Sequence, residues 1–153
     1  MTALEIDTPH GPARAHLRLA DEPIGALVLG HGAGGGVGAR DLTTAADVAA
    51  AAGWSVALVE QPYRVAGRRS PAPAAQLDAA WTAVVAQLSG RELRDLALVV
   101  GGRSAGARVA CRTAAATGAT VVLCLAFSVY LLGRPDKSRQ PELDAVAVPT
   151  LVV

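Results

Sequence analysis

Hydrophobic and polar residues alternate at the start of this chain and then stop alternating. Leu4 and Ile6, then Ala13, Ala15, Leu17 and Leu19, take every second position, with His10-Gly11-Pro12 as the break. That period predicts an antiparallel hairpin with one wet face. From Gly25 onward the apolar residues come in short runs that no longer alternate, at 25–29, 54–60, 96–100 and 120–126. Such runs suit strands buried on both faces of a parallel sheet. Helical spacing fills the gaps between them. A helix is expected over about 42–52, capped by Asp41 and stopped by Gly53. A second is expected over roughly 73–88, with Leu77, Trp81, Val84, Val85 and Leu88 on one face and Gly90 at its end. A third runs from about 105 to 117, ended by Gly118. A polar loop with Gly133, Pro135, Asp136, Lys137 and Pro141 follows, and Thr150-Leu151-Val152-Val153 starts a further strand. The predicted fold class is α/β: a doubly wound, mostly parallel sheet behind an N-terminal antiparallel hairpin, with residues 1–153 as a single domain.

Composition narrows the picture in three ways. The 153 residues are 52% hydrophobic but only 3% aromatic, so the core is built from small aliphatic pieces. A net charge of +1 with 18% charged residues gives no reason to expect nucleic acid or a membrane surface as partner. Cys111 and Cys124 lack Cys-x-x-Cys spacing and a histidine cluster, so they read as small buried apolar residues; no disulfide, metal or cofactor is expected. The N-terminus has no signal-peptide pattern and no run is long enough to span a bilayer, so a soluble cytoplasmic protein is the expectation.

The chemistry concentrates at Gly102-Arg103-Ser104-Ala105-Gly106. An apolar strand stops at glycines, one serine follows, and a helix begins. This is the Gly-x-Ser-x-Gly pattern in its strand–turn–helix context. A sharp turn here presents the Ser104 hydroxyl as a candidate nucleophile, and Gly102 and Gly106 remove side chains that would collide with neighbouring elements. The N–H of Ala105, at the helix start, points where an oxyanion would form.

A second cluster, Gly30-His31-Gly32-Ala33-Gly34-Gly35-Gly36-Val37-Gly38, also follows a strand and precedes a helix. Gly30, Gly32 and Gly35 fit the dinucleotide fingerprint Gly-x-Gly-x-x-Gly, and Glu60 ends the next strand where a ribose-binding acid belongs. Against that reading, a hairpin precedes the unit, the loop runs past its third glycine, and Ser104 stays unexplained. The preferred reading joins both motifs. Loops at the carboxyl ends of neighbouring strands converge, so Ala33 supplies a backbone N–H opposite that of Ala105, and Gly32 and Gly34 let the loop approach a substrate. Tyr63 and Arg103 are candidate substrate contacts. Glu60 is expected to brace Arg64 or Arg68.

On these motifs, with the Val148-Pro149-Thr150-Leu151-Val152-Val153 strand start, the chain resembles an α/β-hydrolase of the small lidless kind related to dienelactone hydrolases. The resemblance implies a serine hydrolase acting on a small carboxylic ester or thioester through a Ser104 acyl-enzyme. It makes His31 a structural residue of the oxyanion loop. It also implies an acid after the strand that Thr150 begins and a histidine later still; no histidine follows Ser104, so the α/β-hydrolase fold is expected to lack its C-terminal part here. Asp136 is a weak candidate for a relocated acid. The final apolar strand would lie at a sheet edge, where it could pair with another copy. Three readings stand: a serine hydrolase, a non-catalytic hydrolase-like binding domain, and a dinucleotide binder.

Overall fold

Residues 1–131 and 133–153 are described by a computed structural model, with the side chains of residues 131, 135 and 136 outside the description. The carboxylate of Asp136 therefore lies outside the described residues.

The alternating segment forms β1 (Thr2–Ile6) and β2 (Ala13–Arg18), paired antiparallel with Ile6 opposite Ala13. Leu19 falls past the end of β2 and is exposed, so the alternation ends one step earlier than the pattern suggests. The non-alternating runs form β3 (Ala26–Gly30), β4 (Ser55–Glu60), β5 (Leu98–Arg103) and β6 (Val121–Leu125). With β9 (Thr150–Val152) they make a seven-stranded sheet in the order β1-β2-β4-β3-β5-β6-β9. All pairings from β4 to β9 are parallel, and β2 joins β4 antiparallel. This is the doubly wound, mostly parallel sheet with an antiparallel hairpin that the runs predict.

Two-sided burial explains the missing alternation. Ala26 and Val28 pack on one face with Trp81, Val84, Val85 and Leu88 of α3 (Ala74–Gly90) and Val109, Ala110 and Ala114 of α4 (Ala105–Thr117). Leu27 and Leu29 pack on the other with Leu42 and Ala46 of α1 (Arg40–Ala51). Every position of β3 is buried. At the open edge, Leu151, Val152 and Val153 are each more than half exposed.

Two local expectations need correction, and one short helix is new. Asp41 does not cap α1: Ala39 occupies the cap position with no side-chain bond, and Asp41 sits in the first turn, where its Oδ1 accepts the Leu42 N–H at 2.8 Å. The segment after β4 contains a short helix, α2 (Pro62–Val65), favoured by a proline at its first position. The stretch after β6 is not a plain loop. It carries a two-stranded hairpin, β7 (Tyr130–Leu131) with β8 (Arg134–Ser138), and a helix, α5 (Gln140–Asp144). Leu143 of α5 packs against the core, and an ion network adds to its placement. Arg112 of α4 bonds both Asp78 oxygens of α3 and reaches Glu142 of α5 at 2.8 Å, while Arg108 bonds the same Glu142 at 2.7 Å. Burial raises the Glu142 pKa, but the bonds from Arg108 and Arg112 outweigh it and hold the carboxyl below its usual value. Cys111 and Cys124 are buried free thiols, as small core residues should be, and their sulfurs touch at 3.5 Å.

The tightest packing lies where β5 turns into α4. A Cβ on Gly102 would sit 2.6 Å from the Gly30 carbonyl oxygen and 2.6 Å from the Gly106 carbonyl carbon. A Cβ on Gly106 would meet the same Gly30 oxygen at 2.5 Å. Neither backbone can yield, because β3 and β5 are central strands. Gly102→Ala is expected to lower stability by about 1–3 kcal/mol in chemical denaturation. Gly34→Ala is the control: nothing lies within 4 Å of its added carbon, and its midpoint should not move.

Candidate active site

Ser104 occupies the turn between β5 and α4 with φ 52° and ψ −111°. A serine is strained there, at a cost of order 1–3 kcal/mol. Three contacts hold it. The β3 backbone presses against Gly102 and Gly106, the Ser104 N–H donates to the Leu125 carbonyl at 2.8 Å, and its own carbonyl accepts the first bond of α4, from Arg108 N–H at 3.2 Å. Ala105 is the first residue of α4, so its N–H has no partner in the helical ladder.

The loop after β3 lies alongside. The position a Cβ would take on Gly32 is 3.6 Å from the Ser104 Cβ and 3.6 Å from Arg103 Nη1. The elbow and the glycine loop thus form one site.

His31 anchors that loop from beneath. Its Nε2 accepts the Gln61 backbone N–H at 3.0 Å, so Nδ1 carries the proton and donates to the Gly32 carbonyl at 2.9 Å. The ring is buried. Burial lowers its pKa most, the Arg64 guanidinium lowers it further, and the Gly32 carbonyl and Glu60 offset part of this. A neutral, doubly bonded imidazole is a brace and has no free nitrogen for Ser104.

Tyr63 braces the same loop from the side. Its ring meets His31 edge-on at 5.8 Å between centroids, and its hydroxyl donates to the Ala33 carbonyl at 3.1 Å. Burial raises the phenol pKa, against an opposing pull from Arg64, so it stays a donor. That bond fixes the plane of the peptide after Ala33. Gly34, next in line, is open on its Cα side.

Arg103 gives its Nε to Asp41 Oδ2 at 2.9 Å and turns Nη1 toward Gly32. Asp41 thereby ties α1 to the residue before Ser104. Glu60 takes His16 and, at 3.9 Å, Arg14 as partners instead of Arg64 or Arg68. The antiparallel β2–β4 pairing puts Arg14 directly opposite Glu60, which a loop-brace reading overlooks. With that carboxylate engaged, the acid needed for a dinucleotide ribose is occupied, and α1 starts only at Arg40, five residues past Gly35. Among the described residues no cluster of His, Cys, Asp and Glu could hold a metal ion. No helix among them is long and apolar enough to cross a membrane.

The family model described as an alpha/beta hydrolase domain matches residues 23–153, so the chain belongs to the α/β-hydrolase family. No curated protein matches it. Among solved structures it is similar to an α/β serine hydrolase without a lid from Xanthomonas campestris, at 18% identity and a TM-score of 0.71, covering 99% of this chain and 83% of that one. It is similar to Est1E from Butyrivibrio proteoclasticus (14%, TM-score 0.79, 99% and 76% covered) and to dienelactone hydrolase from Anabaena variabilis (19%, TM-score 0.77, 99% and 71% covered). At these identities the likeness is one of fold.

Gln61, Asp41 and Leu125 escape sequence reasoning because each acts through a contact far along the chain. The one available signal was for Gln61, which ends the buried β4 run at the loop facing His31. The strain at Ser104 gives a direct test. Ser104→Gly should stabilise the protein by about 1 kcal/mol, the relief of strain less the entropy of glycine. Ser104→Ala, which keeps the strained backbone, should not; paired thermal melts distinguish them.

Proposed function

We propose that the chain is a serine hydrolase of carboxylic esters or thioesters, with Ser104 as nucleophile and the N–H groups of Ala33 and Ala105 as oxyanion donors. The observation that carries this reading is the strained Ser104 held against Gly32 at the carboxyl ends of β3 and β5. A strained serine at the carboxyl end of a central strand, beside a braced glycine loop, is an arrangement that suits a catalytic turn. The α/β-hydrolase family and its esterase and serine-hydrolase neighbours support it.

In this mechanism Ser104 Oγ attacks the carbonyl carbon and its proton passes to a base. The carbonyl π pair moves onto oxygen, where the two N–H groups hold it. Collapse breaks the bond to the alcohol or thiol, which takes up a proton, and water then attacks the acyl-serine in the same way. Removing one such donor typically costs about 3–4 kcal/mol of transition-state stabilisation, so the braces from His31 and Tyr63 are part of the catalytic apparatus. Arg103, with Nη1 beside Gly32 and its Nε taken by Asp41, would in this reading orient an anionic group on the substrate.

The base is the open half of the site. His10 lies in an exposed turn, His16 pairs with Glu60, and both nitrogens of His31 are bonded. Among the described residues no side chain bonds the Ser104 hydroxyl. This observation favours the second reading, a hydrolase-like domain that binds a ligand without turning it over.

Free imidazole separates the two. A positioned base is worth about 10²–10⁴-fold, and a diffusible one should recover a measurable part of it. With p-nitrophenyl acetate, imidazole is expected to accelerate nitrophenol release above the protein-free background, with an acetyl group found on Ser104 by mass mapping and both effects lost in Ser104→Ala. No Ser104-dependent release at any imidazole concentration would leave the binding-domain reading.

A further inference from the structure

Behind the oxyanion loop lies a cavity of about 10 Å³, walled by Trp81, Gln61, Leu77, His31, Ala105 and Gly106. It is bordered by residues that also hold Ser104 and its loop in place. Its size matches one water molecule.

Two of its walls carry polar atoms with no partner in the protein. Trp81 is buried at 1% exposure, and its indole Nε1–H meets no acceptor. Gln61 is buried at 7%, and its Oε1 meets no donor. One is a donor only and the other an acceptor only, so the two needs are complementary. Neither side chain is free to solve the problem by turning. Gln61 Nε2 donates to the Leu77 carbonyl at 3.1 Å, which fixes the amide orientation. The benzo edge of Trp81 is pressed onto β3, where its Cζ3 lies 3.0 Å from the position a Cβ would take on Gly30. Buried polar groups left unpaired forfeit their full desolvation penalty, and a pocket of this size with two polar partners is where an ordered water belongs.

We propose that the chain binds one structural water in this cavity, accepting from Trp81 Nε1–H and donating to Gln61 Oε1. The water extends the support of the oxyanion loop by one link. From α3, Trp81 holds the water, the water holds the Gln61 amide, the Gln61 backbone N–H holds His31, and His31 holds the Gly32 carbonyl. It is a fixed component of the folded protein and needs no substrate or catalytic base, so it stands or falls independently of hydrolysis.

The test is water detection in the wild-type protein. In solution, the Trp81 indole Hε1, assigned by its absence in Trp81→Phe, should show a cross-peak at the water frequency. Its sign should be that of a water resident for longer than molecular tumbling, and it should persist in Tyr63→Phe, which removes relay through the hydroxyl of a residue that also lines the cavity. A high-resolution crystal structure should show one density peak within hydrogen-bonding distance of both Nε1 and Oε1. A dry cavity without the cross-peak would overturn the proposal, as would an Nε1–H bonded directly to Oε1.

Discussion

Three backbones meet without a side chain between them, and the architecture of the site depends on that contact. Gly102 and Gly106 both lie against the Gly30 carbonyl at distances no Cβ could share. Because β3 and β5 are hydrogen-bonded neighbours, the contact fixes how far α4 can sit from the end of β3. It thereby sets the gap between Ser104 and the loop that begins at His31. The unfavourable backbone of Ser104 is the consequence: the chain must reverse within one residue to start α4 against β3. Packing of α4 onto β5, β6 and α3, with the Ser104–Leu125 bond, offsets that cost.

Around this contact the protein spends its few buried polar groups on rigidity. His31, Tyr63 and Gln61 are three of the rare polar or aromatic side chains in an otherwise aliphatic interior; His31 and Tyr63 bond the glycine loop, and Gln61 bonds His31 through its backbone and α3 through its amide. Their bonds run to backbone atoms of Gln61, Gly32, Ala33 and Leu77, so they stiffen the main chain around the loop. A loop so rich in glycine would be mobile alone. Here each of its first residues is tied from below or from the side. The charged residues work farther out: Asp41 and Arg103 connect α1 to the elbow, and the Asp78–Arg112–Glu142–Arg108 network connects α3, α4 and α5.

Much of this was legible in the sequence because the governing signals are local. Non-alternating apolar runs marked strands buried on two faces, helical spacing marked α3 and α4, and Gly102-Arg103-Ser104-Ala105-Gly106 marked the turn. What the sequence hid was pairing across distance. Asp41 looked like a cap because its partner Arg103 is 62 positions away. Glu60 looked free for Arg64 because the β2–β4 register that gives it His16 and Arg14 is tertiary. The hairpin and helix between β6 and β9 carry weak periodicity, since α5 is short and is held by ion pairs together with Leu143, which packs on the core.

The central claim is geometric: Ser104 and two backbone N–H groups are arranged around one developing oxyanion. The most direct measurement is a crystal structure of the protein treated with an alkyl fluorophosphonate, whose tetrahedral adduct carries an oxygen where that oxyanion would form. The account predicts phosphorus bonded to Ser104 Oγ, with its unesterified oxygen about 2.7–3.1 Å from both the Ala33 and Ala105 nitrogens. An adduct on another residue, or one on Ser104 with that oxygen turned away from either nitrogen, would contradict it.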